Sequence, residues 1–199
     1  MITQQAASEL HRAVEAADPD AVQAALSAGA DVNGKSGDWA PLHRAAANGD
    51  PAIARMLLRA GAEVDQRGAG RWTPLHRAAK LGHEAVTNLL LEWGATVEAT
   101  GIDGWTPLLR AAMQGEAGTG RILIAAGADL TAVNGAQQWT ALHWAAFSGS
   151  SALAEALLSA GADAGAATTN GMQPKDLAAH YGHHQVVELI NAHLAGIAH

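Results

Sequence analysis

Apolar residues fall along this chain in paired short clusters separated by glycine. One cluster of each pair is compact and rich in alanine, as in Pro74-Leu-His-Arg-Ala-Ala-Lys80. The other spaces residues such as Val86, Leu89 and Leu90 at i, i+3 and i+4, which puts one buried stripe on a helix. Both clusters carry helix punctuation. Thr73–Pro74 and Thr106–Pro107 supply an N-cap hydroxyl and a proline at the first helical position. Asp18–Pro19 and Asp50–Pro51 start second helices in the same way. Gly49, Gly82, Gly115 and Gly149 end the first helices, and Gly61, Gly94, Gly127 and Gly161 end the second. Turn-rich stretches of about ten residues then lead to the next pair. The pattern predicts a helix, a turn, a second helix and a protruding finger, repeated.

The repeat has a fixed period. Trp39, Trp72, Trp105, Trp139 and Met172 step by 33, 33, 34 and 33 residues, and Gly49, Gly82, Gly115, Gly149 and Gly182 step identically. The units read WAPLHRAAANGDPAIARMLLRAGAEV (39–64), WTPLHRAAKLGHEAVTNLLLEWGATV (72–97), WTPLLRAAMQGEAGTGRILIAAGADL (105–130) and WTALHWAAFSGSSALAEALLSAGADA (139–164). A 33-residue period with Thr-Pro-Leu-His early in the unit resembles the ankyrin repeat. The resemblance runs from about Ala6 to His193 and implies an all-α ankyrin-repeat solenoid of helix-turn-helix units with β-turn fingers. Six units are expected, at about 6–35, 36–68, 69–101, 102–135, 136–168 and 169–194, forming one domain over 1–199. The two end units are caps, with Lys175 and Asp176 replacing Leu and His in the last. Paired alanines (45–46, 78–79, 111–112, 145–146) are small enough for helix axes to approach to about 8–10 Å.

Composition narrows the function. The net charge is −7 and no Lys/Arg run reaches three residues, which argues against nucleic-acid binding through a basic surface. With no cysteine, disulfides, zinc–thiolate sites and thiol catalysis are excluded. No signal peptide or membrane span is visible, so a cytoplasmic, monomeric protein without membrane attachment is expected. No nucleophile–base order, carboxylate pair or phosphate loop stands out, so the chain is not expected to be an enzyme or to need a cofactor. Trp is six of only eight aromatic residues, which points to a particular use.

Equivalent positions in stacked units form columns. One column is Trp39, Trp72, Trp105 and Trp139. It reads either as indoles shielding each turn or as a ladder of exposed binding residues. A second is Arg12, Arg44, Arg77 and Arg110, with Trp144 in the fifth unit. These guanidiniums either stack on indoles and pair with local carboxylates, or form a cationic strip suited to an acidic peptide, a carboxylate or a phosphate. The residues before each first-helix glycine, including Lys80, Met113, Phe147 and Tyr181, are expected to be exposed. The resemblance implies that first helices and fingers line a concave binding side. The expected partner-binding set is therefore Trp72, Trp105, Trp139, Trp144, Arg77, Arg110, Met113, Phe147, Lys80 and Tyr181, with the hot spot on the fourth to sixth units. The partner is expected to be another protein, through an acidic or carboxylate-bearing segment. A small-ligand or nucleotide receptor using the same columns is the alternative.

The recurring His43, His76 and His143 invite a metal, but adjacent copies stand too far apart to share an ion, and the resemblance implies structural hydrogen bonds for them. Gly182 separates His180 from His183 and His184, and no metal is expected there. The fourth unit departs most. Leu109 replaces the repeated His, and Gly118, Thr119 and Gly120 enter the second helix, each mid-helix Gly costing about 1 kcal/mol against Ala. This unit reads as the weakest, through drift or as a hinge. The finger before Trp139 carries one extra residue and should bulge.

Overall fold

In the computed structural model the chain is described from residue 2 to 197, with side chains from 8 to 196. The described residues form twelve α-helices, with short 3-10 turns at Ala69–Arg71 and Ile102–Gly104. They are α1 (Ile2–Glu15), α2 (Pro19–Ser27), α3 (Pro41–Asn48), α4 (Pro51–Arg59), α5 (Pro74–Lys80), α6 (Glu84–Glu92), α7 (Pro107–Gln114), α8 (Ala117–Ala125), α9 (Ala141–Ser148), α10 (Ser151–Ser159), α11 (Pro174–His180) and α12 (His184–Ile197). The expected helix–turn–helix alternation is present, with fingers reduced to turns and isolated bridges at Ser36–Trp39 and Asn134–Trp139. The fold divides into two compact units at the Ala99–Thr100 junction.

In unit 1, α1 packs on α2 and α3, α3 on α4 and α5, and α5 on α6, while α4 lies between α2 and α6. Unit 2 repeats the scheme: α7 packs on α8 and α9, α9 on α10 and α11, and α10 on α8 and α12. The alanine pairs of α3, α5, α7 and α9 are fully buried, as small stacking residues should be. The larger core side chains come from both helices of the repeat, with Leu42, Leu75, Leu108 and Leu142 from the first and Ile53, Leu57, Leu89, Leu90, Leu123, Leu153 and Leu157 from the second inaccessible or nearly so.

The capping signals act locally. Asp18 accepts from the Ala21 N–H at 3.0 Å, and Asp50 from Ala52 and Ile53 at 2.9 and 3.0 Å. Thr106 and Thr140 accept from the backbone three residues on. The Thr73 hydroxyl lies 2.9 Å from the His76 Nδ1, and the Thr140 hydroxyl 2.8 Å from the His143 Nδ1, so ring and hydroxyl satisfy each other in both repeats. The first helices end in left-handed glycines at Gly49, Gly115 and Gly149, and Gly182 breaks the last hairpin between α11 and α12.

The fourth repeat is continuous through α8 despite its glycines. Gly120 is buried, and a Cβ there would stand 2.4 Å from the Cδ1 of Leu153 on α10. Drift or a hinge was expected at this site; close packing between two helices is a reason the sequence pattern did not reveal. The extra finger residue is absorbed in a longer turn, with Asn134 bridging Trp139 where Ser36 bridges Trp39. Gln138 takes a left-handed φ of 55° to close it.

Candidate functional site

The repeated histidines fix the finger to the first helix. His43 Nδ1 accepts from the Ala40 N–H at 3.3 Å, and its Nε2 lies 3.0 Å from the Trp72 carbonyl. His143 does the same with Thr140 and the Met172 carbonyl. A ring nitrogen that accepts an N–H is unprotonated, so both rings are neutral Nε2–H tautomers whose Nε2 donates to the carbonyl. Burial pushes the His43 pKa down to about 4, although the bond to Trp72 opposes this; His143 and His11 are lowered by burial as well. His83 and His183 serve a second structural role. Each reaches back to the preceding first helix, with Nε2 at 3.0 Å from the Ala47 carbonyl and 3.1 Å from the Phe147 carbonyl respectively.

These bonds hold the indoles at the start of each first helix. Trp39, Trp72, Trp105 and Trp139 are each half-buried, neither sealed in the core nor fully open. In unit 1 the Arg77 guanidinium lies 4.6 Å from the centre of the Trp39 ring, and Lys80 Nζ lies 5.8 Å from Trp72. In unit 2 Arg110 lies 4.8 Å from Trp105. Arg44 forms an ion pair with Glu15.

Of the two readings of the guanidinium column, Arg77 and Arg110 follow the stacked one, and Arg110 is only 6% exposed. Its planar head is laid on the Trp105 indole, and its Nη1 is 4.0 Å from the Met113 sulfur. Stacking on an aromatic face costs a weakly hydrated guanidinium little, so this geometry competes well with solvation. Met113 and Phe147 are likewise half-buried rather than exposed, while Tyr181 is 48% exposed.

Unit 2 joins its aromatic residues into one chain of contacts. Trp144 occupies the arginine column and lies 5.0 Å from Trp105 and 4.5 Å from Trp139, centre to centre. Phe147 lies 5.6 Å from Trp144 and 5.7 Å from Trp139, and meets Tyr181 edge-on at 4.8 Å. His180 then meets Tyr181 at 4.9 Å. Tilted and edge-to-face contacts at these spacings are the favoured aromatic geometries. Trp144 is oriented by a hydrogen bond from its Nε1 to Asn134 Oδ1 at 2.7 Å, and Asn134 is itself buried.

Thus Trp105, Arg110, Met113, Trp139, Trp144, Phe147 and Tyr181 share one surface of unit 2, whereas Trp72, Arg77 and Lys80 belong to unit 1. Sequence reasoning missed Asn134, Glu15 and Asn48. Only Asn134 left a trace, as the Asn-Gly pair of the lengthened finger.

The family described as ankyrin repeats matches residues 10–101, 97–168 and 134–197, nearly the whole chain. The chain belongs to the ankyrin-repeat family. Ankyrin repeats are generally protein-interaction modules and are typically not catalytic. A search of curated proteins found no match. No described helix of this ankyrin-repeat chain is long and apolar enough to cross a membrane.

Proposed function

We propose that this chain binds a segment of another protein on the first-helix face of unit 2, the side that the family resemblance implies is concave. The observation that carries the reading is the linked run Trp105–Trp144–Trp139–Phe147–Tyr181, which ends in an exposed ring. Large aromatic rings that are held by neighbours yet accessible lose little conformational entropy on binding and dominate interface hot spots. Arg110 and Met113 extend the surface beside Trp105. A nucleotide receptor fits less well, because base stacking needs an open indole face and the Arg77 and Arg110 guanidiniums lie over Trp39 and Trp105.

Selection of a displayed random-peptide library against the chain tests this. Selected peptides are expected to lose about fivefold or more in affinity, equal to about 1 kcal/mol, for Phe147→Ala and for Tyr181→Ala. Thermal unfolding of each variant separates lost contacts from lost structure. Peptides that bind both folded variants as tightly as wild type place the interface elsewhere.

A further inference from the structure

A second feature lies in unit 1 and is independent of the aromatic surface. Glu15, Trp39, His43, Arg44, Asn48 and Arg77 line a cavity of about 210 Å³. That is room on the order of seven water volumes, or one tetrahedral oxyanion with part of its hydration shell. The lining is cationic within a chain of net charge −7. Arg44 is paired with Glu15, whereas Arg77 rests on Trp39 and has no carboxylate partner among the described residues. The Nε atoms of both arginines are buried and make no hydrogen bond.

What sets this cavity apart is charge: two guanidiniums share one carboxylate, and the other polar lining groups do not offset the excess. His43 is neutral, with both ring nitrogens engaged by Ala40 and Trp72. Asn48 donates its amide to the Val14 carbonyl at 2.9 Å. Arg77 also carries a pKa lowered by burial and by the like charge of Arg44, a mutual repulsion that an anion between them would relieve.

We propose that this cavity binds an oxyanion group, a phosphate monoester or a carboxylate, with Arg77 as its principal donor and Arg44 as its second. Glu15 is half-exposed and sits on Arg44, so it acts as an internal competitor that the incoming anion displaces. The planar guanidinium fork matches phosphate and carboxylate oxygens in a way a lysine ammonium does not.

The test is titration of the full chain with inorganic phosphate and, separately, with acetate, reading the arginine Nε–H resonances by NMR. Sodium chloride at matched ionic strength is the control. Phosphate is expected to shift Arg44 and Arg77 saturably, with a dissociation constant of roughly millimolar order for two charge-assisted contacts. Saturation by acetate at similar concentration assigns a carboxylate ligand; saturation by phosphate alone assigns a phosphate monoester. Glu15→Gln is expected to tighten binding by about threefold or more by freeing Arg44, and Arg77→Gln to abolish it. No saturable shift with either anion in the wild-type chain overturns the proposal, as does a Glu15→Gln variant that binds no tighter. Because the decisive reading is made on wild type, poor folding of a variant does not obscure it. The peptide surface of unit 2 is untouched by either result.

Discussion

At the scale of single residues, the partner surface depends on Trp144 standing where earlier repeats carry arginine. An arginine there would stack on one indole; a tryptophan touches two and leaves its N–H needing a partner, which Asn134 provides. Trp144→Phe keeps most of the ring contact but strands the buried Asn134 oxygen. The expected cost is about 1–2 kcal/mol of stability, measured by urea denaturation. Tyr181 makes the opposite case. Its ring is half in solvent at the end of the run, so Tyr181→Ala should leave the unfolding midpoint nearly unchanged while weakening peptide binding. The columns that contain these residues were legible in the sequence, because a fixed period assigns each residue a place in its repeat. Depth was not legible. Arg77 and Arg110 occupy one column, yet Arg110, laid on Trp105 and beside Met113 of its own repeat, is buried, whereas Arg77, laid on Trp39 of the preceding repeat, is not.

At the scale of helices, the glycines that look alike in sequence do different work. Gly49 and Gly149 both take left-handed backbone and both lie under a histidine ring, where a Cβ would approach His83 to 2.5 Å and His183 to 2.6 Å. Gly115 has the same backbone but faces only Ser148 and Ser150 at ordinary contact distances, 3.4 Å and beyond. Alanine at all three should cost about 1 kcal/mol for the left-handed conformation. Gly49→Ala and Gly149→Ala should lose a further 1 kcal/mol or so, because the histidine must leave its bond to the preceding helix. Comparing the denaturation midpoints of the three variants checks the ordering. Gly120 extends the point to a helix interior. Ala usually gains about 1 kcal/mol over Gly there, but overpacking against the fully buried Leu153 costs about 1–3. Gly120→Ala is therefore expected to destabilise by about 1 kcal/mol, and a stabilised variant would show that α8 and α10 have room to separate. The period exposed the Gly-Thr-Gly break, but nothing in one sequence tells which helix presses against it.

At the scale of the whole molecule, the histidines that tie fingers to helices make stability depend on pH. His43 titrates near 4 in the folded chain and near 6.5 when unfolded, so between these values the unfolded chain binds the extra proton. Stability therefore rises with pH across this window, is complete above about pH 7, and is lost as pH falls from about 6.5 towards 4. A displacement of about 2.5 units corresponds to about 3 kcal/mol for His43 at most, with His11 and His143 adding in the same direction because burial lowers them too. Asp129 does not confuse the window. The Thr131 hydroxyl and N–H lower its pKa below the ordinary carboxylate value, so its contribution fades only under more acidic conditions. Denaturation midpoints measured from about pH 7.5 down to about pH 4.5 should fall steadily below about pH 6.5, and His43→Gln should flatten that fall while lowering the neutral-pH plateau. An equal slope in the variant would mean that the proton enters elsewhere. The histidine recurs because it clasps a finger as a neutral donor and acceptor at once, and such a clasp can hold only where the ring is kept from its proton.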